Sequence, residues 1–387
     1  MMNNLGTMYL FELRKIFLRK TTVIVLSIVT LIMIAMNIGE YIAGRKIVNT
    51  EEKALVGRVV DDALLDEMRE AIELKKATTE DGESVSIGVS VLDKTYEPLF
   101  NYLYMVGGNY DKAYNMTEES LYKTFNGVID DNLNEQYLSD AEKAYWEKRR
   151  ADNPDRLIYG EIQNGYGDSA TIIYSVSILV LIAIAATLSG VFADEVNLKM
   201  DSIIFSSVNG KKRLMAAKML AGVTVGFVET LILLAACVGT EFAISGLSGQ
   251  EASVQFFVGP SAMDMEIGEA LVRYVVIMLI IGIMFSVMAM SLSQITHSTI
   301  PVVAFLMLLW LMSMVNIPDS LGILARIWNF MPVTFLGSWN FNDYHLVPVF
   351  GHMLTNIEAA PLIYPFIIVG LTVITIISYN RYQIRSR

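Results

Sequence analysis

The sequence predicts an all-α integral membrane protein with six transmembrane helices, both termini inside, an amphipathic entry helix and a mostly helical extracellular domain between the first and second spans. Three observations predict it. Hydrophobic residues make up 53% of the 387-residue chain and charged ones 18%, with mean hydropathy +0.46, a balance that soluble domains seldom carry. The apolar residues gather into blocks near or above the roughly 18 residues that mark a bilayer span. Lys and Arg cluster on alternate connections, as residues retained on the cytoplasmic side do.

Residues 1–20 read as a cytoplasmic interfacial helix. Tyr9, Leu10, Leu13, Ile16 and Phe17 share one face, and Glu12, Lys15 and Arg19 share the other. The first span, 21–38, runs from Thr21 to Ile38 behind Arg14, Lys15, Arg19 and Lys20. It is longer than the core of a signal peptide, and no convincing small-residue cleavage site follows, so it reads as a retained anchor.

Residues 39–170 form the expected extracellular domain. They hold 15 Lys+Arg against 27 Asp+Glu, a net of −12, which leaves the rest of the chain at 14 against 13, or +1. The chain's only cysteine, Cys237, lies elsewhere, so no disulfide framework holds this domain and its core must. A helix is expected over Glu51 to Ala77, with Leu55, Val59, Leu64, Met68 and Ile72 as its stripe. Ser139 and Glu142 make a capping box for the helix carrying Tyr145 and Trp146, and Asn153-Pro154 ends it. Tyr96, Tyr102, Tyr104, Tyr110, Tyr114 and Tyr122 form either a tyrosine-rich core or a binding surface.

Residues 171–387 supply the other spans: about Thr171 to Ala193, Ala216 to Gly246, Leu271 to Leu292, Thr299 to Val315 and Leu362 to Ser378. With the N-terminus inside, twelve basic residues fall on one side: four before span one, then Lys199, Lys211, Lys212, Arg213 and Lys218 around the second link, and Arg381, Arg385 and Arg387 at the end. Outside the insert, the opposite connections offer only Arg273 and Arg326. Of those connections, Leu247 to Ala270 is acidic, whereas Asn316 to Pro361 is long, apolar and marked by Trp and Pro, so partial re-entry into the membrane is expected of it.

The cytoplasmic link is the most distinctive stretch outside the spans. Over 194–210, Asp194-Glu195 opens an amphipathic helix with Val196, Met200 and Ile203 at helical spacing and Lys199 one turn after Glu195. Ser206 to Gly210 then turns the chain. Such a helix either lies on lipid or fits a groove in another protein.

Catalytic motifs are missing. No G-x-x-x-x-G-K-[ST] loop precedes the lone Gly210-Lys211 pair. His297, His345 and His352 form no H-E-x-x-H, and one cysteine makes no thiolate metal site. The sequence has no basic face for nucleic acid.

In its order of parts the chain resembles a type-2 ABC transporter permease. The resemblance rests on the basic entry helix from Glu12-Leu13-Arg14-Lys15, six spans and Glu195 closing span two. It includes the Ser-x-x-Gly-Lys-Lys-Arg-x-x-x-x-Lys stretch from Ser207 to Lys218 and a proline-marked outer segment before span six. It implies a multi-pass subunit of the bacterial plasma membrane that exports a peptide, lipid or drug-like substrate. Such a subunit pairs with a second permease copy or a homologous permease and binds no cofactor itself. ATP and Mg would act in a separate nucleotide-binding subunit docked beneath it. By the same resemblance the coupling helix maps onto Glu195 to Phe205, with Glu195, Lys199, Asp201, Ile203 and Phe205 as coupling residues and the Gln294 to Ser298 turn as a second contact. The large insert departs from the family's usual short first outer loop.

Glu229 falls mid-bilayer, where an ionisable side chain faces protein or water. It reads either as a wall of the translocation path or as a carboxyl satisfied by Thr230 or a neighbouring helix. Gly222 and Gly226 form a G-x-x-x-G that serves a dimer seam or internal packing. The alternative to transport is an extracellular sensor or assembly factor anchored by the spans.

Overall fold

A computed structural model describes residues 3–42, 52–78, 95–152, 157–160, 165–200, 204, 212–315 and 317–381. The chain is mostly helical and has, among the described residues, five helices long and apolar enough to cross a membrane. These are α2 (Lys20–Glu40), the nearly continuous α8 (Gly165–Leu188) and α9 (Gly190–Asn197), α10 (Lys212–Ser245), α12 (Ile267–Thr296) and α15 (Asn356–Arg381). A sixth apolar helix, α13 (Thr299–Met312), has 14 residues. At 1.5 Å per residue it reaches about 21 Å, short of the roughly 30 Å of a hydrocarbon core. It stops earlier than the sequence predicts, within six residues of Pro318, where Ser313 to Val315 turn away.

The bundle is built around α8, α10 and α12, with α2 and α15 outside it. Its closest seam is made of small residues. A Cβ on Gly226 would meet Ser286, one on Gly222 would meet Met290, and one on Gly282 would meet Thr230. The G-x-x-x-G of α10 therefore seats α12 of the same chain, the internal-packing alternative. Asn37, fully buried on α2, donates to Cys237 O at 3.0 Å and ties that outer helix on.

One end of the bundle carries α1 (Asn3–Phe17), the end of α9, the start of α10 and the last turns of α15, where the Tyr379 ring meets Phe192. The other end carries an outer layer. Its helices are α3 (Asp62–Thr78), α4 (Glu97–Gly107), α5 (Tyr110–Tyr114), α6 (Glu118–Glu135) and α7 (Asp140–Asp152), joined by α11 (Gln255–Val258) and α14 (Ile323–Trp328) from the later connections. Two short strands, β1 (Leu346–Val349) and β2 (His352–Thr355), pair antiparallel. Phe350 and Gly351 turn between them with φ of 49° and 85°, the left-handed pair a tight hairpin needs.

The single helix expected over Glu51 to Ala77 is divided. A short 3-10 turn, Glu52–Leu55, ends at Gly57 with φ 83°, and Val59 bridges to Ile158 as extended chain. Asp61 then caps α3 by accepting the Leu64 N–H at 2.9 Å. Leu55, Leu64, Met68 and Ile72 are buried nonetheless. The capping box at α7 forms as its residues dictate: Ser139 N donates to Glu142 Oε2 at 2.8 Å, and Glu142 N to Ser139 Oγ at 3.4 Å. Of the tyrosines, Tyr102 is core, its ring tilted against Phe256, and Tyr104 is exposed, with the other four half-buried.

The apolar segment before the last span packs on the insert. Trp146 Nε1 donates to Tyr344 O at 2.8 Å, Gln136 brackets Asn342 and Tyr344, and Ser261 Oγ donates to Phe341 O. The three connections at this end thus meet in one core through α6 and α7, in which Trp146 and Tyr344 are buried edge to face, while α3, α4 and α5 pack in a second core that takes in Phe256.

Candidate functional site

The residues with the most unusual surroundings lie where α1 crosses beneath the bundle. Lys218, in the second turn of α10, is fully buried. Its ammonium donates to Val191 O at 3.0 Å and Glu195 Oε1 at 2.5 Å, lies 3.9 Å from Glu12 Oε2, and sits 5.4 Å from the centre of the Phe192 ring. A buried cation persists only with such compensation. Lys15 closes the cluster, 3.4 Å from Glu12 and 3.3 Å from Glu195, and Arg19 pairs with Asp194 at 3.0 Å.

This arrangement revises the reading of α1. The face carrying Glu12 turns inward, so that Glu12 is 3% exposed beside buried Ile16, and Tyr9 bonds Thr224 at 3.1 Å. Leu10, Phe11 and Leu18 are the large apolar residues left exposed there. Hydrophobic period alone could not separate these faces, because the buried stripe is completed by a carboxylate whose partner lies more than two hundred residues away.

The link helix is broken before its pattern ends. Helix α9 ends at Asn197, and Lys199 takes a left-handed backbone with φ 56°. The expected Glu195–Lys199 turn-to-turn pair gives way to Glu195 with Lys15 and Lys218. Lys199 is exposed, and Asp201, Ile203 and Phe205 lie outside the described residues. At the α8–α9 break, Ser293 of α12 stitches the two helices: its hydroxyl donates to Ser189 O at 2.5 Å and accepts from Ala193 N at 3.1 Å.

Deeper in the bundle, Glu229 is fully buried on α10. Thr187 of α8 donates to its Oε2 at 3.1 Å, while Oε1 has no partner among the described residues. Of the two partners the sequence leaves open, the neighbouring helix supplies the bond, and Thr230 donates back to Gly226 O at 2.7 Å. Glu241 is fully buried as well.

Glu142 was legible as a helix cap only. The structure adds Arg326, whose two nitrogens reach its carboxylate at 2.7 and 2.9 Å, and the Leu346 N–H at 2.9 Å. Burial pushes this carboxyl up, but Arg326 and the N–H groups of Leu346 and Ser139 outweigh it and hold the pKa at about 2.

Compared with protein-family models, curated proteins and solved structures, the chain matches none.

Proposed function

We propose that the chain is the membrane-spanning permease subunit of an ATP-driven ABC transporter, exporting a peptide, lipid or drug-like substrate across a cell membrane. The reading rests on the resemblance of its parts, and one observation supports it best. The ionic cluster of Glu12, Lys15, Glu195 and Lys218 fastens the entry helix and the start of α10 to the point where the cytoplasmic link begins. A push on that link by a docked nucleotide-binding subunit would move α1, α9 and α10 together. A second permease copy would complete the path, and ATP with Mg would be held by the partner.

The sensor alternative treats the outer domain as separable from the spans. Against it, α6 and α7 of the insert pack in one core with both later connections at that end.

The test uses the full chain extracted from its native membranes. An ATPase subunit should copurify, hydrolyse ATP in the complex, and be lost when Lys199→Glu and Asp201→Lys reverse charge on the link without touching the buried cluster. ATP hydrolysis by the purified chain alone, or full retention of the ATPase by the double variant, would sink the proposal.

A further inference from the structure

Between α12, α13, α15 and the outer layer lies an apolar cavity of about 590 Å³, within the range of sites that enclose a small ligand. Met284, Met288, Leu309 and Ile367 line its bundle end, and His345 and Asn356 its outer end. From Asn356 to Ile367 it follows α15 for about 16 Å.

Two features identify the occupant. First, the cavity lies where α13 is too short to cover the bundle. Leu308 and Leu311 on α13, and Ile323 and Ile327 on α14, are each more than half exposed, so its walls are continuous with the surface these apolar helices offer to hydrocarbon. Second, its polar end is built and unfinished. His345 and Asn356 are 5% and 2% exposed. Their Nδ1 and Nδ2 are fixed by Asp343 at 2.7 and 2.6 Å. His345 Nε2 and Asn356 Oδ1 make no hydrogen bond among the described residues. Arg326 is already committed to Glu142, so the site presents no free cation. Asn356 Oδ1 only accepts, and His345, with its Nδ1–H on Asp343, donates from Nε2 when the ring is the imidazolium that Asp343 counter-charges; a hydroxyl then donates to Asn356 and accepts from His345.

We propose that this cavity binds a membrane glycerolipid with a free hydroxyl: an acyl chain lies against Met284, Met288 and Ile367, and the hydroxyl sits between His345 and Asn356. The proposal does not depend on the transporter reading, because binding needs neither ATP nor a partner.

The experiment places the full chain in phosphatidylcholine nanodiscs with diacylglycerol carrying a diazirine at the chain end. Crosslinks should map to peptides containing Met284 to Met288 and Ile363 to Ile367. Unlabelled diacylglycerol should compete about fivefold better than its hydroxyl-capped ether, the worth of one hydrogen bond. Leu309→Trp or, if that variant fails to fold, Met288→Phe should fill the cavity and remove the crosslinks. Three outcomes overturn the proposal: equal labelling by a headless alkyl diazirine, labelling spread over Ile300 and Phe366 and unchanged in a folded filling variant, or protection of the cavity peptides that rises with protein concentration, which would mean a second copy covers this face.

Discussion

Arg326 reaches both carboxylate oxygens of Glu142, 184 residues earlier in the chain, at 2.7 and 2.9 Å. Glu142 is 1% exposed, and the pair joins α7 of the insert to α14 before the last span. Arg326→Ala leaves that carboxylate buried without its counter-charge. It should destabilise the outer layer by about 3 kcal/mol. A double-mutant cycle with Glu142→Gln, read by thermal unfolding, should return a coupling well above that of an exposed pair.

The same carboxylate sets an acid limit. Its pKa falls from an ordinary 4.5 to about 2 on folding, so the folded state favours the ionised form. The stabilisation is fully present above about pH 4.5 and is lost as pH falls toward about 2. Protection factors in residues 140–152 and 323–346, corrected for the intrinsic slowing of amide exchange in acid, should fall across that window, and Glu142→Gln should remove the dependence while lowering protection at neutral pH.

How much of this was readable beforehand depended on whether the signal was local. The long apolar helices, the Ser139 cap and the Gly246 end of α10 follow from neighbours within a turn or two, and they stand where the pattern places them. The division of the expected Glu51 helix was missed because a positive φ at Gly57 and an Asp61 cap outweighed an otherwise continuous stripe. The partners of Glu195 were harder. Glu12, Lys15 and Lys218 were all conspicuous in the sequence, but their charge reads as solvation until tertiary packing shows Glu12 and Lys218 buried with Lys15 at their edge. Arg326 offered one clue, as one of two basic residues on connections otherwise emptied of them.

The two glycines of α10 should not respond alike. A Cβ at Gly222 meets the flexible end of Met290, which can swing aside, whereas at Gly226 it meets the short Ser286 hydroxyl, itself bonded to Gly282 O at 2.7 Å. Gly226→Ala should cost about 1–3 kcal/mol as overpacking and Gly222→Ala clearly less. Detergent melting curves measure the order. A change in oligomeric state with unchanged melting would instead assign these glycines to a seam between copies.

Lys218→Met removes the cation and keeps most of the side-chain volume. Glu12 and Glu195 would then share Lys15 alone, and α1 should lose its hold on α10. Amide exchange across residues 3–17 should accelerate at least about tenfold, equivalent to about 1.4 kcal/mol, while α12 stays protected. Adding Glu195→Gln to this variant should recover part of the loss, because it leaves Lys15 to pair with Glu12 alone and removes the excess carboxylate.

Glu229 separates structural from functional demand. With Oε1 unpartnered and Oε2 held only by Thr187, the carboxyl adds little to packing that an apolar side chain could not supply. Glu229→Met should therefore leave melting unchanged or raise it by about 1 kcal/mol, since replacing an unsatisfied buried polar group with one of similar shape is neutral or favourable. If the residue serves a transport path, the same variant should lose substrate flux in proteoliposomes containing all subunits while ATPase binding persists. Lower stability with unchanged flux would give Glu229 a structural role and remove it from the path.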